Sequence, residues 1–208
     1  FNNLNLHIPA GQKLGITGNS GAGKTSLIQL LLRFYDPIQG KITMNGQDYR
    51  ALDLNDLRNF FSYVPQSISL FHRSIFDNIA FGKPDASKDE IYEAAHLCLC
   101  DEFVQSLEKG YDTIIGEGGY KISGGQRQRV ALARAYIKKA PIFLLDEALS
   151  GLEPELEAIL LDRLCEALPL HTIISVSHRR SALIKMERFI ELKRGQIIMD
   201  DSPHKIIE

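Results

Sequence analysis

A glycine-rich segment near the start of the chain has the composition of a phosphate-binding loop. Gly18-Asn-Ser-Gly-Ala-Gly23-Lys24-Thr25 fits the pattern G-x-x-x-x-G-K-[ST] at every fixed position. Glycines allow backbone conformations in which successive N–H groups point toward an anion, and a helix that begins at Lys24 adds its positive dipole end. We expect Lys24 to bridge the β- and γ-phosphates of a nucleoside triphosphate and Thr25 to bind Mg²⁺. The residues predicted to contact the nucleotide here are Asn19, Ser20, Gly21, Ala22, Gly23, Lys24, Thr25 and Ser26.

Two adjacent carboxylates follow an apolar run in Ile142-Phe-Leu-Leu-Asp146-Glu147. Four apolar residues predict a buried strand, and the carboxylates then emerge at its carboxyl end, where ligands bind in α/β proteins. Asp146 suits the Mg²⁺ shell, and Glu147 suits a general base that activates water for attack on a γ-phosphate. The alternative is that the pair only caps a helix, but the phosphate-binding loop favours the catalytic interpretation.

A second glycine-rich turn, Ile122-Ser123-Gly124-Gly125-Gln126-Arg127, precedes a predicted helix about twenty residues before Ile142. A helix that opens on such a turn is a second potential anion site. The segment resembles the LSGGQ signature of ABC ATPases, with Ile122 in place of leucine. The resemblance implies a head-to-tail dimer, in which each ATP lies between the phosphate-binding loop of one subunit and the signature of the other. Ser123, Gly125 and Gln126 would then contact the ATP held by the partner subunit.

The resemblance extends to two further positions. Gln66, in Tyr63-Val-Pro-Gln66, matches the Q-loop glutamine, which contacts Mg²⁺ and water; the alternative is a polar turn residue. His178 follows the predicted strand Thr172–Val176 and matches the switch histidine near the γ-phosphate, although a lone histidine after a strand is more often structural. The implied catalytic residues are Lys24, Gln66, Glu147 and His178, and the implied Mg²⁺ ligands are Thr25, Gln66 and Asp146.

Some positions depart from the family pattern. Ser150-Gly-Leu-Glu153 occupies the D-loop, where the family usually ends on aspartate. Glu117 matches the glutamate of the exporter X-loop, but Gly118 stands where arginine is usual. By alignment, the aromatic residue that stacks on adenine would precede Phe1, so we expect this chain to lack it.

The elements that must position these residues alternate between strand and helix, which indicates an α/β core with a largely parallel sheet. The resemblance implies a P-loop NTPase with a RecA-like core, an inserted α-helical subdomain from about residue 67 to 139, and a truncated antiparallel β subdomain. All of residues 1–208 would form one ABC ATPase domain. The predicted strands are Leu4–Ile8, Lys13–Thr17, one that ends at Val64, Ile142–Leu145, Thr172–Val176, Phe189–Leu192 and Gln196–Met199. The predicted helices include Lys24 to Phe34, Ser87 to Leu99, Ser123 to Lys138 and Pro154 to Ala167, and Asn45-Gly46 predicts a two-residue hairpin turn.

Composition excludes several classes of protein. The 208 residues carry 24 Lys and Arg against 26 Asp and Glu, so the net charge of −2 is not that of a nucleic-acid binder. No apolar run approaches the roughly 20 residues that cross a bilayer. Three cysteines argue against a disulfide framework, and we expect Cys98 and Cys100 to lie on one helix and to serve packing.

The function implied by the resemblance is ATP binding and hydrolysis that powers export across a membrane. The expected partners are a second ABC ATPase domain, identical or homologous, and transmembrane domains on the same polypeptide before residue 1 or on another chain. The expected location is the cytoplasmic face of a membrane, with no nucleic acid partner. The alternatives are the ATPase subunit of an importer and, more remotely, a non-transport ABC ATPase acting on DNA or ribosomes. Ser150-Gly-Leu-x-Pro154 favours the importer, whereas Ala148 and the X-loop favour the exporter.

Overall fold

A six-stranded sheet of order β4-β5-β6-β1-β7-β8 forms the centre of the molecule. The computed structural model describes residue 1 and residues 3–202, so residues 2 and 203–208 of the predicted domain lie outside the described residues. The strands of this sheet are β1 (Lys13–Thr17), β4 (Phe61–Val64), β5 (Ile142–Asp146), β6 (Thr172–Val176), β7 (Arg188–Lys193) and β8 (Gln196–Asp201). The pairs between β4, β5, β6, β1 and β7 are parallel, and β8 is antiparallel to β7. The predicted α/β class is therefore confirmed.

The register of the parallel strands aligns their carboxyl ends. Val176 of β6 is paired with both Asp146 of β5 and Ile16 of β1, and Val64 of β4 is paired with Leu145. Strands β5 and β6 are buried along almost their whole length, as expected for a parallel sheet whose two faces are covered by helices. The loops that leave β1, β4, β5 and β6 consequently start from one edge of the sheet.

Helices connect the strands and cover the sheet. They are α1 (Lys24–Leu31), α2 (Leu54–Asn59), α3 (Ile75–Ala80), α4 (Lys88–Leu97), α5 (Asp101–Val104), α6 (Gly124–Tyr136), α7 (Pro154–Ala167) and α8 (Arg180–Leu183). Between β4 and β5 the named elements of the described chain are all helical, α3 to α6 with two short 3-10 turns. Ser87 caps α4 and Ser123 caps α6, each through a capping box that satisfies backbone donors at the helix start. Within residues 1 and 3–202, no helix has the length and apolar character needed to span a membrane.

Several element boundaries differ from the sequence prediction. Leu4–Ile8 does not form a strand; its alternating apolar side chains pack on the core, whereas its backbone joins no sheet. Helix α1 ends at Leu31, before the predicted Phe34, because Arg33 adopts a left-handed backbone with φ of 53°. Helix α2 was not predicted, although the side chain of Asp53 accepts hydrogen bonds from two N–H groups of its first turn.

The predicted hairpin turn is present. Asn45 and Gly46 both have positive φ, 51° and 80°, between β2 (Thr43–Met44) and β3 (Gln47–Asp48), as a type I′ turn requires.

Contrary to the prediction, Cys98 and Cys100 do not share one helix: Leu99, with φ of 58°, separates α4 from α5. Both thiols are nevertheless completely buried in the helical core, in keeping with a packing role.

A buried lysine ties β1 to the carboxyl end of α7. Lys13 is 5% exposed, and its Nζ lies within hydrogen-bond distance of the carbonyl oxygens of Gly11 (3.1 Å), Leu168 (2.9 Å), Pro169 (3.2 Å) and His171 (2.5 Å). The last carbonyls of a helix have no partner within the helix, and a cation there is favoured by the helix dipole. Lys13 therefore holds the start of the strand that leads into the phosphate-binding loop.

Replacing Lys13 with methionine should lower the free energy of unfolding by about 2–4 kcal/mol, because the carbonyls lose a charged donor and remain buried. Urea denaturation of both proteins measures the difference. The exposed Lys41→Met is the matched control, for which we expect a change within about 0.5 kcal/mol. Equal stability of Lys13→Met and wild type would show that the ammonium does not contribute to the fold.

The three cysteines should differ in reactivity. Burial raises the pKa of Cys98 and Cys100 far above the range of a free thiol, and it raises the pKa of the partly exposed Cys165 to about 11. Since the thiolate is the reactive form, a disulfide reagent at pH 8 should modify Cys165 slowly and leave the other two intact. Mass spectrometry of the labelled protein, with a guanidinium-unfolded sample as the control, tests this. Rapid labelling of Cys98 in the folded protein would contradict the packing described here.

Candidate active site

A cavity of about 520 Å³ opens at the edge of the sheet where the parallel strands end. It gathers loops from four strands: the glycine-rich loop after β1, Gln66 after β4, Glu147 after β5 and His178 after β6. Residues far apart in sequence therefore surround one space. The residues that line it are Gly18, Asn19, Ser20, Gly21, Gly23, Lys24, Thr25, Ser26, Gln66, Glu147 and His178.

The glycine-rich loop has the backbone that its sequence predicts. Gly18, Gly21 and Gly23 have φ of 142°, 77° and 107°, values that residues with a Cβ rarely adopt. A Cβ on Gly18 would lie 2.3 Å from the carbonyl oxygen of Leu192, so the loop also approaches β7 too closely for any other residue. Ala22, which was also predicted to contact the nucleotide, does not line the cavity: it is 5% exposed, and its N–H donates to the Asn19 carbonyl at 3.0 Å.

Lys24 is held across the loop with its ammonium facing the acidic side of the cavity. Its Nζ donates to the carbonyl oxygens of Gly18 (2.8 Å) and Asn19 (3.3 Å). The same atom lies 3.5 Å from Oε1 of Glu147, and Lys24 is only 7% exposed. A cation that is fixed by backbone oxygens and aimed into a cavity suits an anionic group such as a phosphate.

Asp146 and Glu147 occupy different environments although they are neighbours. Asp146 is 1% exposed and its Oδ1 accepts a hydrogen bond from the Thr25 hydroxyl at 3.3 Å. Burial raises the pKa of Asp146, and burial together with Asp146 raises the pKa of Tyr63 to about 12. Glu147 instead reaches into the cavity, where its Oε2 accepts a hydrogen bond from the Gln66 amide at 2.9 Å.

The residues predicted to bind Mg²⁺ fit that ion by their chemistry. Thr25 and Asp146 bring a hydroxyl and a carboxylate together, and the side chain of Gln66 lies at the same cavity through its bond to Glu147. Hydroxyl, carboxylate and amide oxygens are the hard donors that Mg²⁺ prefers, and the ion usually takes only one or two carboxylates together with phosphate oxygens.

Ser123, Gly125 and Gln126 are not part of this cavity. They form the start of α6, where the Ser123 hydroxyl accepts from the Gln126 N–H (3.2 Å) and the Gln126 side chain accepts from the Ser123 N–H (2.9 Å). Ser123 is exposed, and Gly125 and Gln126 are partly exposed. The chain therefore carries its two glycine-rich turns at separate places on its surface.

Sequence reasoning assigned no role to Arg179 or Glu157, which form an ion pair of 2.8 Å beside the loop after Glu147. Glu157 is 3% exposed, unusually little for a carboxylate. Glu157 lies on the amphipathic helix α7, and the sequence of that helix alone does not predict that this carboxylate is buried. The burial follows from the packing of α7 beside β6 in the tertiary structure.

Comparison with known proteins gives concordant results. A protein-family model described as "ABC transporter" matches residues 1–150. An ABC transporter ATP-binding protein of Haemophilus influenzae is 42% identical over 213 residues, and an ATP-dependent lipid A-core flippase of Legionella pneumophila is 41% identical over 208 residues. Each match covers 100% of this chain and 35% of the relative, so the chain spans about a third of the curated relatives' length.

A solved structure of a bacterial Atm1-family ABC exporter with ATP bound superposes with a TM-score of 0.90 at 38% identity. The match covers 95% of this chain and 35% of that one. Both the family expected from the signature turn and the expected fold class are thereby confirmed. The cavity at the carboxyl edge of the sheet, the family match and these relatives together show that the chain belongs to the ABC transporter family.

Proposed function

We propose that the chain is the ATP-binding and ATP-hydrolysing domain of an ABC exporter. The observation that carries the proposal is the convergence of Lys24, Gln66, Glu147 and His178 on one cavity at the carboxyl edge of a parallel sheet. The names of the relatives, a flippase and an exporter, support export as the process that hydrolysis drives. They do not favour the importer alternative. We also propose that residues 1–208 form one ABC ATPase domain, with a helical subdomain at about 67–139.

The arrangement of side chains suggests the role of each group in hydrolysis. The ammonium of Lys24 and the N–H groups of the loop would bind the β- and γ-phosphates. Glu147 would orient the attacking water and take its proton at a carboxylate oxygen, with Gln66 holding that carboxylate and His178 close to the γ-phosphate. Mg²⁺, held by Thr25, Asp146 and Gln66, would neutralise charge on the phosphate oxygens. The exposed α6 start carries Ser123, Gly125 and Gln126, which would contact ATP held by a second ABC ATPase domain, identical or homologous.

The assembly in which this domain works is also part of the proposal. Its partners would be that second ATPase domain and transmembrane domains, placed before residue 1 of the same polypeptide or on another chain. The domain would then lie at the cytoplasmic face of a membrane. An exposed aromatic pair, Phe71 and Phe81, with ring centroids 4.5 Å apart, follows the Gln66 segment and is suited to contact a protein partner. The balanced charge of the whole domain argues against a nucleic acid partner.

Replacing Lys24 with alanine should weaken ATP binding roughly 30-fold or more, since a desolvated charged contact to the phosphates is lost. Titration calorimetry with Mg-ATP measures the change. The control is Lys88→Ala on the exposed side of α4, whose affinity should equal that of the wild type. Retained affinity in Lys24→Ala would refute the assignment of the phosphate-binding loop.

Replacing Glu147 with glutamine should reduce ATP hydrolysis by about 10²–10⁴-fold while ATP still binds, because the amide keeps the shape but cannot accept the proton. The variant should accumulate as a dimer with Mg-ATP, which size-exclusion chromatography detects. Adding Ser123→Arg, which obstructs the α6 start, should return it to monomer. Turnover at the wild-type rate would show that the base lies elsewhere, and a monomer at high protein concentration would contradict the ATP-dependent dimer.

A further inference from the structure

Outside the cavity, one guanidinium joins the loop after β6 to the loop after β5. Arg179, which directly follows His178, donates from Nη1 to the carbonyl oxygen of Leu152 (2.6 Å) and from Nη2 to that of Ser150 (2.6 Å). Both carbonyls belong to the turn that follows Glu147. A planar guanidinium presents its donors in a rigid fork on separate nitrogens, whereas the donors of an ammonium rotate about a single nitrogen, so the guanidinium holds two acceptors in a fixed relative geometry.

The position of the guanidinium is itself fixed by a buried carboxylate. Glu157 of α7 accepts from Arg179 Nη1 at 2.8 Å through Oε2 and from the Ser177 hydroxyl at 3.3 Å through Oε1. The Ser177 oxygen accepts in turn from the backbone N–H of Arg179 at 3.1 Å. Glu157 is 3% exposed and Ser177 is 5% exposed, so this arrangement is largely shielded from water and has little freedom to rearrange.

The turn that Arg179 holds continues from a strained residue. Glu147 has a left-handed backbone, φ of 48°, which is unfavourable for a residue with a long side chain. Its N–H donates to the Val176 carbonyl at 3.1 Å, and its own carbonyl accepts from the Ser150 N–H at 3.1 Å. Ser150 is thus bonded on one side to Glu147 and on the other to Arg179. Strained backbone persists only where the surrounding structure holds it, and these bonds connect the backbone of Glu147 to β6 and to the turn.

The opposite side of the turn packs on α6. A Cβ on Gly151 would lie 2.8 Å from the Gln128 side chain, and a Cβ on Gly125 would lie 3.0 Å from Cδ2 of Leu152. This close-packed contact, which includes the amide of Gln128 and the apolar side chain of Leu152, does not involve Arg179. Loss of the guanidinium fork should therefore let the turn shift without unfolding the domain.

We propose that Arg179 is a positioning residue for Glu147: by holding the Ser150–Leu152 carbonyls, it keeps the backbone of Glu147 in the conformation that directs its carboxylate into the cavity. This inference rests on the proposed role of Glu147 as the base of ATP hydrolysis. Arg179 does not line the cavity and acts through the turn.

The test is Arg179→Lys in the full-length protein, since lysine keeps the charge beside Glu157 but lacks the rigid fork of two nitrogens that holds the two carbonyls. Arg188→Lys is the matched control. Arg188 is exposed to a similar degree, 23% against 26%, and likewise binds a carboxylate, Asp200 (2.6 Å), and a backbone carbonyl, that of His7 (2.7 Å). For each protein, kcat and KM for ATP, the Kd for ATP and the thermal midpoint are measured.

We expect Arg179→Lys to lower kcat by about tenfold or more, with Kd for ATP within about twofold of wild type, because a displaced base impairs the chemical step and not binding. Its thermal midpoint should match that of Arg188→Lys, which should hydrolyse ATP at the wild-type rate. A kcat within about twofold of wild type, or a loss that is accompanied by an equal loss of ATP-binding sites, would overturn the proposal.

A double-mutant cycle separates positioning of Glu147 from any independent effect. If Arg179 acts through Glu147, adding Arg179→Lys to Glu147→Gln leaves the residual hydrolysis unchanged; if it acts independently, the two losses multiply and the proposal is wrong. Slow turnover in Glu147→Gln with normal turnover in Arg179→Lys would refute this inference alone. Wild-type turnover in Glu147→Gln would refute the proposed function, and this inference with it.

Discussion

The candidate active site depends on the parallel register of four strands. Because Val176 pairs with Asp146 on one side and with Ile16 on the other, the loops that leave β5, β6 and β1 begin at the same height of the sheet. Backbone hydrogen bonds join the strands in this alignment, and the side chains select it, since a shift of one residue would turn every side chain of a strand to the opposite face of the sheet. The glycine-rich loop, the carboxylates and His178 become neighbours for this reason.

In the cavity the ammonium of Lys24 and the carboxylate of Glu147 face one another at 3.5 Å. Lys24 is fixed by two backbone carbonyls and Asp146 by the Thr25 hydroxyl, both at low exposure. Glu147 holds its position with a left-handed backbone, which is unfavourable for a residue that carries a Cβ. Charges that are fixed in advance around the cavity suit the proposed transfer of a phosphoryl group to water.

Much of the fold could be predicted because its signals are local. Pro154 at the first turn of α7, the capping box at Ser87 and the Asn45-Gly46 turn each act within a few residues, and the corresponding elements are present. The failure at Leu4–Ile8 has a tertiary cause. The alternating apolar side chains of Leu4–Ile8 pack on the core, but the segment has no partner strand. Alternation by itself does not distinguish a strand in a sheet from an extended segment that only packs its side chains.

For the site, the sequence by itself determined which residues could bind phosphate and activate water, because motif spacing reflects the backbone of a single loop or strand end. Only the tertiary structure decided that Gln66, Glu147 and His178 meet around the loop that carries Lys24. Only it revealed the bonds of Arg179 to carbonyls 27 and 29 residues away. A backbone carbonyl is the same at every position of the chain, so no residue type marks it as an acceptor. The sequence therefore cannot show which carbonyls a guanidinium will bind until the strands have brought them together.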